Sequence, residues 1–80
     1  MRGYVIQSTM GSFLTQQCGW VRWDGPEKAY VHSLEQIGEI AEMSRGWEIK
    51  PVSAHPARFE NGVVTIIGTE VRFESLFVRR

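Results

Sequence analysis

The chain has little of almost everything that marks a specialised protein. Cys18 is the one cysteine in 80 residues, so no internal disulfide can staple the fold. No apolar run approaches the ~20 residues that a membrane-spanning helix requires. The opening MRGYVIQSTMG holds no long apolar segment, so no export signal is expected. With a lone thiol, a reduced cytoplasmic compartment is expected. The formal net charge is zero, whereas a dedicated duplex-DNA binder carries a basic surplus. Histidine is limited to His32 and His55. No Gly-rich phosphate loop, nucleophile elbow or paired-carboxylate motif is present. Cys18, His32 and His55 match no zinc-ligand spacing. These absences predict a protein that is not an enzyme and carries neither metal nor cofactor.

What is present is ordinary for a folded domain. Hydrophobic residues make up 42% and charged residues 22% of the chain, which argues against disorder. Residues 1–80 are expected to form a single compact domain. The charge is unevenly spread. From Asp24 to Glu48 there are six acids and two bases, and the rest of the chain is correspondingly basic. Seven of the nine cations are arginine, the residue suited to bidentate contacts with carboxylate and phosphate.

The stretch Ser33 to Gly46, SLEQIGEIAEMSRG, carries the clearest local signal. Ser33 and Gln36 fit a capping box at the start of a helix. Gly46 stands where a left-handed residue ends one, and Arg45 suits the negative end of the helix dipole. Leu34, Ile37, Ala41 and Ser44 fall on one stripe, with Ile40 at its margin and Gly38 inside it, where a glycine permits close approach to a sheet. Glu35, Glu39, Glu42 and Met43 fall opposite. That outer face has two readings: a solvated surface, or an acidic docking face with an adaptable methionine contact.

Strands flank the helix. Gly3–Ser8 alternates, with Tyr4 and Ile6 on one face and Val5 and Gln7 on the other. A tight connection through Gly11 leads to a second strand around Phe13 and Leu14. Trp20–Trp23 reads as extended, and Asp24-Gly25-Pro26 as a turn. After the helix, Trp47–Val52 reads as a strand whose Pro51 marks an edge or an end, and 53–56 as a loop. Asn61-Gly62 between apolar residues predicts a hairpin turn. The β-branched run Val63–Ile67 predicts a central strand buried on both faces. Val71–Val78 predicts a last strand with a free edge that a dimer can use. The fold class is therefore α+β: a single antiparallel sheet of four to six strands, one helix over about residues 33–45 packed across it, and the order β-β-(β)-α-β-β-β.

Three tryptophans draw attention. Trp47 belongs to the core. Trp20 and Trp23 are an odd number apart and cannot both face inward on one regular strand. A Trp20 exposed beside Arg22 reads as ordinary cover of a small sheet's second face by an aromatic ring and an arginine stem, or as a protein-interface anchor. With Arg72 and the terminal Arg79 and Arg80, it also suits stacking and phosphate contact with a single-stranded nucleic acid.

The succession Tyr4-Val5-Ile6, Gly11-Ser12-Phe13-Leu14, Gly19-Trp20, Ala29-Tyr30-Val31, a helix, then Trp47-Glu48-Ile49-Lys50-Pro51-Val52 resembles the layout of small accessory proteins of phages and mobile elements, anti-CRISPR proteins among them. The resemblance implies a non-catalytic inhibitor whose protein partner is a CRISPR-Cas effector complex. Such a chain would work in the cytoplasm of a host cell, as a monomer or homodimer, by covering a DNA-binding or nuclease-recruiting surface. Nucleic acid is the alternative partner.

Overall fold

Alternating side chains over Arg2–Ser8 make the strand on which the sheet is built, β1. The computed structural model describes residues 1–16 and 21–77. Phe13–Leu14 (β2) and Trp23–Asp24 (β3) continue the sheet antiparallel on one side of β1. Pro51–Glu60 (β4) runs antiparallel on the other side, from Arg2↔Arg58 to Ser8↔Pro51. Val63–Ile66 (β5) and Val71–Arg72 (β6) share the far edge of β4. The sheet order is β3-β2-β1-β4-β5, with β6 beside β4. Among the described residues a single α-helix, α1 (Leu34–Met43), lies between β3 and β4 in the chain. The fold is α+β, with one antiparallel six-stranded sheet, as the sequence predicts.

The pleat divides the sheet into two unlike faces. Ile6, Leu14 and Ala54 point toward α1 and close a core with Ile37, Ile40 and Phe73. Trp47 and Trp23 pack against this core edge to face, ring centres 6.4 Å apart. Val5 and Ala57 point the other way and meet Val31. The residues before the helix cross this second face. Tyr4 and His32 exchange backbone hydrogen bonds of 2.9 Å in both directions. A side chain at Gly3 would collide with the His32 carbonyl, so glycine permits this crossing.

The helix starts as predicted. Ser33 Oγ accepts from the Gln36 amide at 3.2 Å, and Gln36 Oε1 accepts from the Ser33 amide at 2.8 Å. It ends differently. Gly46 does not take a left-handed conformation; the chain tightens into a 3-10 turn over Ser44–Gly46. Lys50 Nζ donates to the Ser44 and Arg45 carbonyls, each at 2.7 Å, and satisfies the orphan acceptors a left-handed glycine would otherwise serve. The inner stripe is also rotated. Ile37, Ile40 and Ser44 are buried while Leu34 is 64% exposed. Gly38 meets no neighbour that a side chain would touch, so it makes no close approach to the sheet.

Beyond the helix the strand boundaries shift. Trp47–Lys50 is not a strand, and 53–56 is no loop: both lie on either side of the true start of β4 at Pro51. Pro51 is the first residue of β4, where no ladder donor is needed. Pro56 sits mid-strand. Its carbonyl accepts from the Ile67 amide at 2.8 Å, so its ring nitrogen faces the junction where β5 gives way to β6. Gly68 packs closely against the Pro56 ring there. The Asn61-Gly62 turn forms as predicted, with φ of 51° and 77°, the positive values a two-residue hairpin needs. The strand it leads to is not central. Val63, Ile66 and Ile67 are exposed, because β5 ends the sheet. The last predicted strand shrinks to Val71–Arg72, followed by a 3-10 turn over Phe73–Phe77. Ser75 Oγ donates to the Arg72 carbonyl at 2.7 Å, and Phe73 meets Phe77 edge to face at 5.1 Å.

Candidate docking surfaces

The capping box and the buried pair Ile37 and Ile40 fix the roll of α1, and that roll sets its outer face. Glu35, Glu39, Glu42 and Met43 are all exposed, as the sequence predicts for that face. Leu34 joins them from one margin and Met43, 50% exposed, borders the other. Glu42 pairs with Arg45 at 3.6 Å. Among the described residues, Glu35 and Glu39 enter no ion pair. The result is an acidic strip edged by two flexible apolar side chains.

The aromatic and basic set is not brought together. Trp20, Cys18, Arg79 and Arg80 lie outside the described residues. Arg22 is exposed, and its carbonyl accepts from the Thr15 amide at 2.9 Å beside β2 and β3. Arg72 stands on β6, at the opposite edge of the sheet. Four strand spacings of ~4.8 Å separate β3 from β6, about 19 Å. Arg72 is also engaged, its Nε donating to Glu74 Oε1 at 3.2 Å. Trp23 is turned inward and its Nε1 donates to the Ile49 carbonyl at 3.2 Å.

The two histidines do different things. His32 is buried, and its ring meets Tyr30 edge to face at 4.9 Å. Burial holds its pKa below the usual 6.5, against the raising effect of a backbone hydrogen bond with Leu14. Its Nε2 has no hydrogen-bond partner among the described residues. His55 stands on β4, with Nε2 2.8 Å from Gln7 Oε1 and 3.5 Å from Glu70 Oε1. No group of three or more metal-ligating side chains gathers among the described residues. No helix among them is long and apolar enough to cross a membrane.

A second surface went unread in the sequence. On the face of the sheet away from α1, Val5, Phe13, His55, Phe59, Val64 and Ile66 line an open groove of about 640 Å³, walled by Pro26, Glu27 and Ala29. The signal lies in the period-two spacing of His55, Ala57 and Phe59. Pro51 and Pro56 hid it by breaking the strand into apparent fragments.

Comparison with protein-family models, curated proteins and solved structures finds no match in any of the three.

Proposed function

We propose that this chain is a protein-binding module that docks the outer face of α1 on a basic surface of its partner. The observation that supports this is the acidic strip itself. Glu35, Glu39 and Glu42 share one exposed helix face, and only Glu42 is paired among the described residues. Such a strip steers encounter with a basic surface and fixes register. Leu34 and Met43 supply the apolar contact that charges alone do not, and methionine adapts its shape to the partner.

The layout resemblance supplies the class of partner. A CRISPR effector complex presents a positively charged channel to its nucleic acid, and the acidic strip would occupy that channel or the nuclease-recruiting surface beside it. The test uses purified protein and purified effector complexes of several types, with target-DNA binding read by mobility shift. At least one complex should lose DNA binding, while the protein alone shifts no oligonucleotide. If no complex is affected, the assignment of the partner fails. If the protein itself binds single strands with an affinity that falls with salt, a nucleic-acid-binding role replaces it.

A further inference from the structure

The sheet ends on a strand that carries none of the usual protection. Edge strands are commonly kept from pairing by charge, proline, a bulge or brevity. At the other end β3 is two residues long. β5 is four residues, Val63-Val64-Thr65-Ile66, regular against β4 and free of proline. From Asn61 to Thr69 no residue is charged. Because the Ile67 amide bonds to the Pro56 carbonyl, alternation along the ladder turns Val63 and Thr65 toward β4 as well. The N–H and C=O groups of Val64 and Ile66 then point outward, away from the sheet.

Apolar side chains surround that free edge. Met1, Phe59, Val63, Ile66 and Ile67 are 44% to 59% exposed and cluster at this end of the molecule. Phe59 and Ile66 lie on the groove face of the sheet and Val63 and Ile67, by alternation, on the helix face, so exposed apolar side chains flank the free edge on both sides.

We propose that β5 pairs antiparallel with β5 of a second copy of this chain, joining two sheets into one across a two-fold axis centred on Thr65. In this register Val64 lies opposite Ile66 of the partner copy and Ile66 opposite its Val64. The four outward N–H groups of the two copies meet the four outward carbonyls. Thr65 faces Thr65 across the axis. A second copy is the occupant that the edge itself selects. The seam is uncharged, so it offers a charged strand no complement, and its own sequence supplies the matching β-branched, uncharged strand. With five large side chains half exposed, the area covered falls at the low end of specific interfaces, about 600 Å² per partner. The two-fold axis stands perpendicular to the sheet, so both copies of α1 lie on one side and both grooves on the other. Two acidic strips then face a partner together, and a partner with two matching surfaces gains by avidity.

The pairing is independent of what the acidic strip binds, and its tests need no partner. Sedimentation equilibrium from about 5 μM to about 500 μM should show a monomer–dimer equilibrium in the micromolar range. Val64→Pro removes one outward N–H without touching a β4–β5 bond, and Ile66→Lys puts a charge on the seam. Each should weaken the dimer at least tenfold, whereas Met10→Lys, at an exposed apolar site on the β1–β2 hairpin, should not. A protein that stays monomeric throughout overturns the proposal, as does dimerisation that both seam variants leave unchanged. Register is tested separately with Thr65→Cys in a Cys18→Ser background. Directly opposed residues of a non-hydrogen-bonded pair have Cα atoms about 4.5 Å apart, within disulfide reach. Mild oxidation should crosslink this variant and leave Thr69→Cys in the same background largely uncrosslinked; equal crosslinking of the two contradicts the register.

Discussion

At Gly3 the absence of one carbon decides how the segment before the helix crosses the sheet. A methyl group there would meet the His32 carbonyl, which is held by paired backbone hydrogen bonds to Tyr4. Gly3→Ala should therefore destabilise the protein by about 1–3 kcal/mol. Urea unfolding would measure this, and an unchanged midpoint would show that the crossing yields freely. His32 makes a second residue-level prediction. Its folded pKa is lowered by burial, so below the unfolded value of about 6.5 the unfolded chain binds the proton that the folded chain refuses. This contribution to stability is complete above about pH 6.5 and is lost as pH falls toward the folded value, where it levels off. Unfolding curves across that range should steepen in their pH dependence for the native protein relative to His32→Gln. Parallel pH profiles would contradict the assignment.

The elements differ in how plainly the sequence announced them. The start of α1 and the Asn61-Gly62 turn were legible because their signals are local: a capping box spans four residues and a hairpin turn two. Ser33→Ala should accordingly cost about 1 kcal/mol, read as a lower melting temperature. The end of α1 was not legible, because its acceptors are satisfied by Lys50, a residue beyond the helix. β4 was hidden by Pro51 and Pro56, whose missing N–H groups fall at a strand start and at the β5–β6 junction. The β-branched run in β5 reads alike whether a strand is central or at an edge, since composition does not say which neighbour is missing. The roll of α1 gives a discriminating pair. Ile40→Ala should cost about 2–5 kcal/mol, as for a filled core position, whereas Leu34→Ala should stay within about 0.5 kcal/mol. Equal costs would mean that the helix sits on the stripe the sequence suggested, rather than the one the structure shows.

At the scale of the whole molecule, the sheet separates two surfaces of opposite character. The helix side carries the acidic strip and the far side the apolar groove, with the free edge of β5 at the rim between them. Of the candidate site, the acidic residues were legible because helical periodicity places them together without any knowledge of the rest. The groove was not, since its lining comes from β1, β2, β4, β5 and the turn after β3, segments far apart in the chain. Arg22 and Arg72 looked like partners in sequence only because composition carries no distances; the sheet order places them at opposite edges. The proposed function requires the outer face of α1 to do the binding. The most direct measurement compares two charge-reversed proteins, each shown by circular dichroism to be folded, in the same mobility-shift assay of effector DNA binding. E35K/E39K/E42K should lose inhibition by at least tenfold, whereas E60K/E70K/E74K, with the same change in net charge placed elsewhere, should retain it. Equal inhibition by the two would contradict the claim.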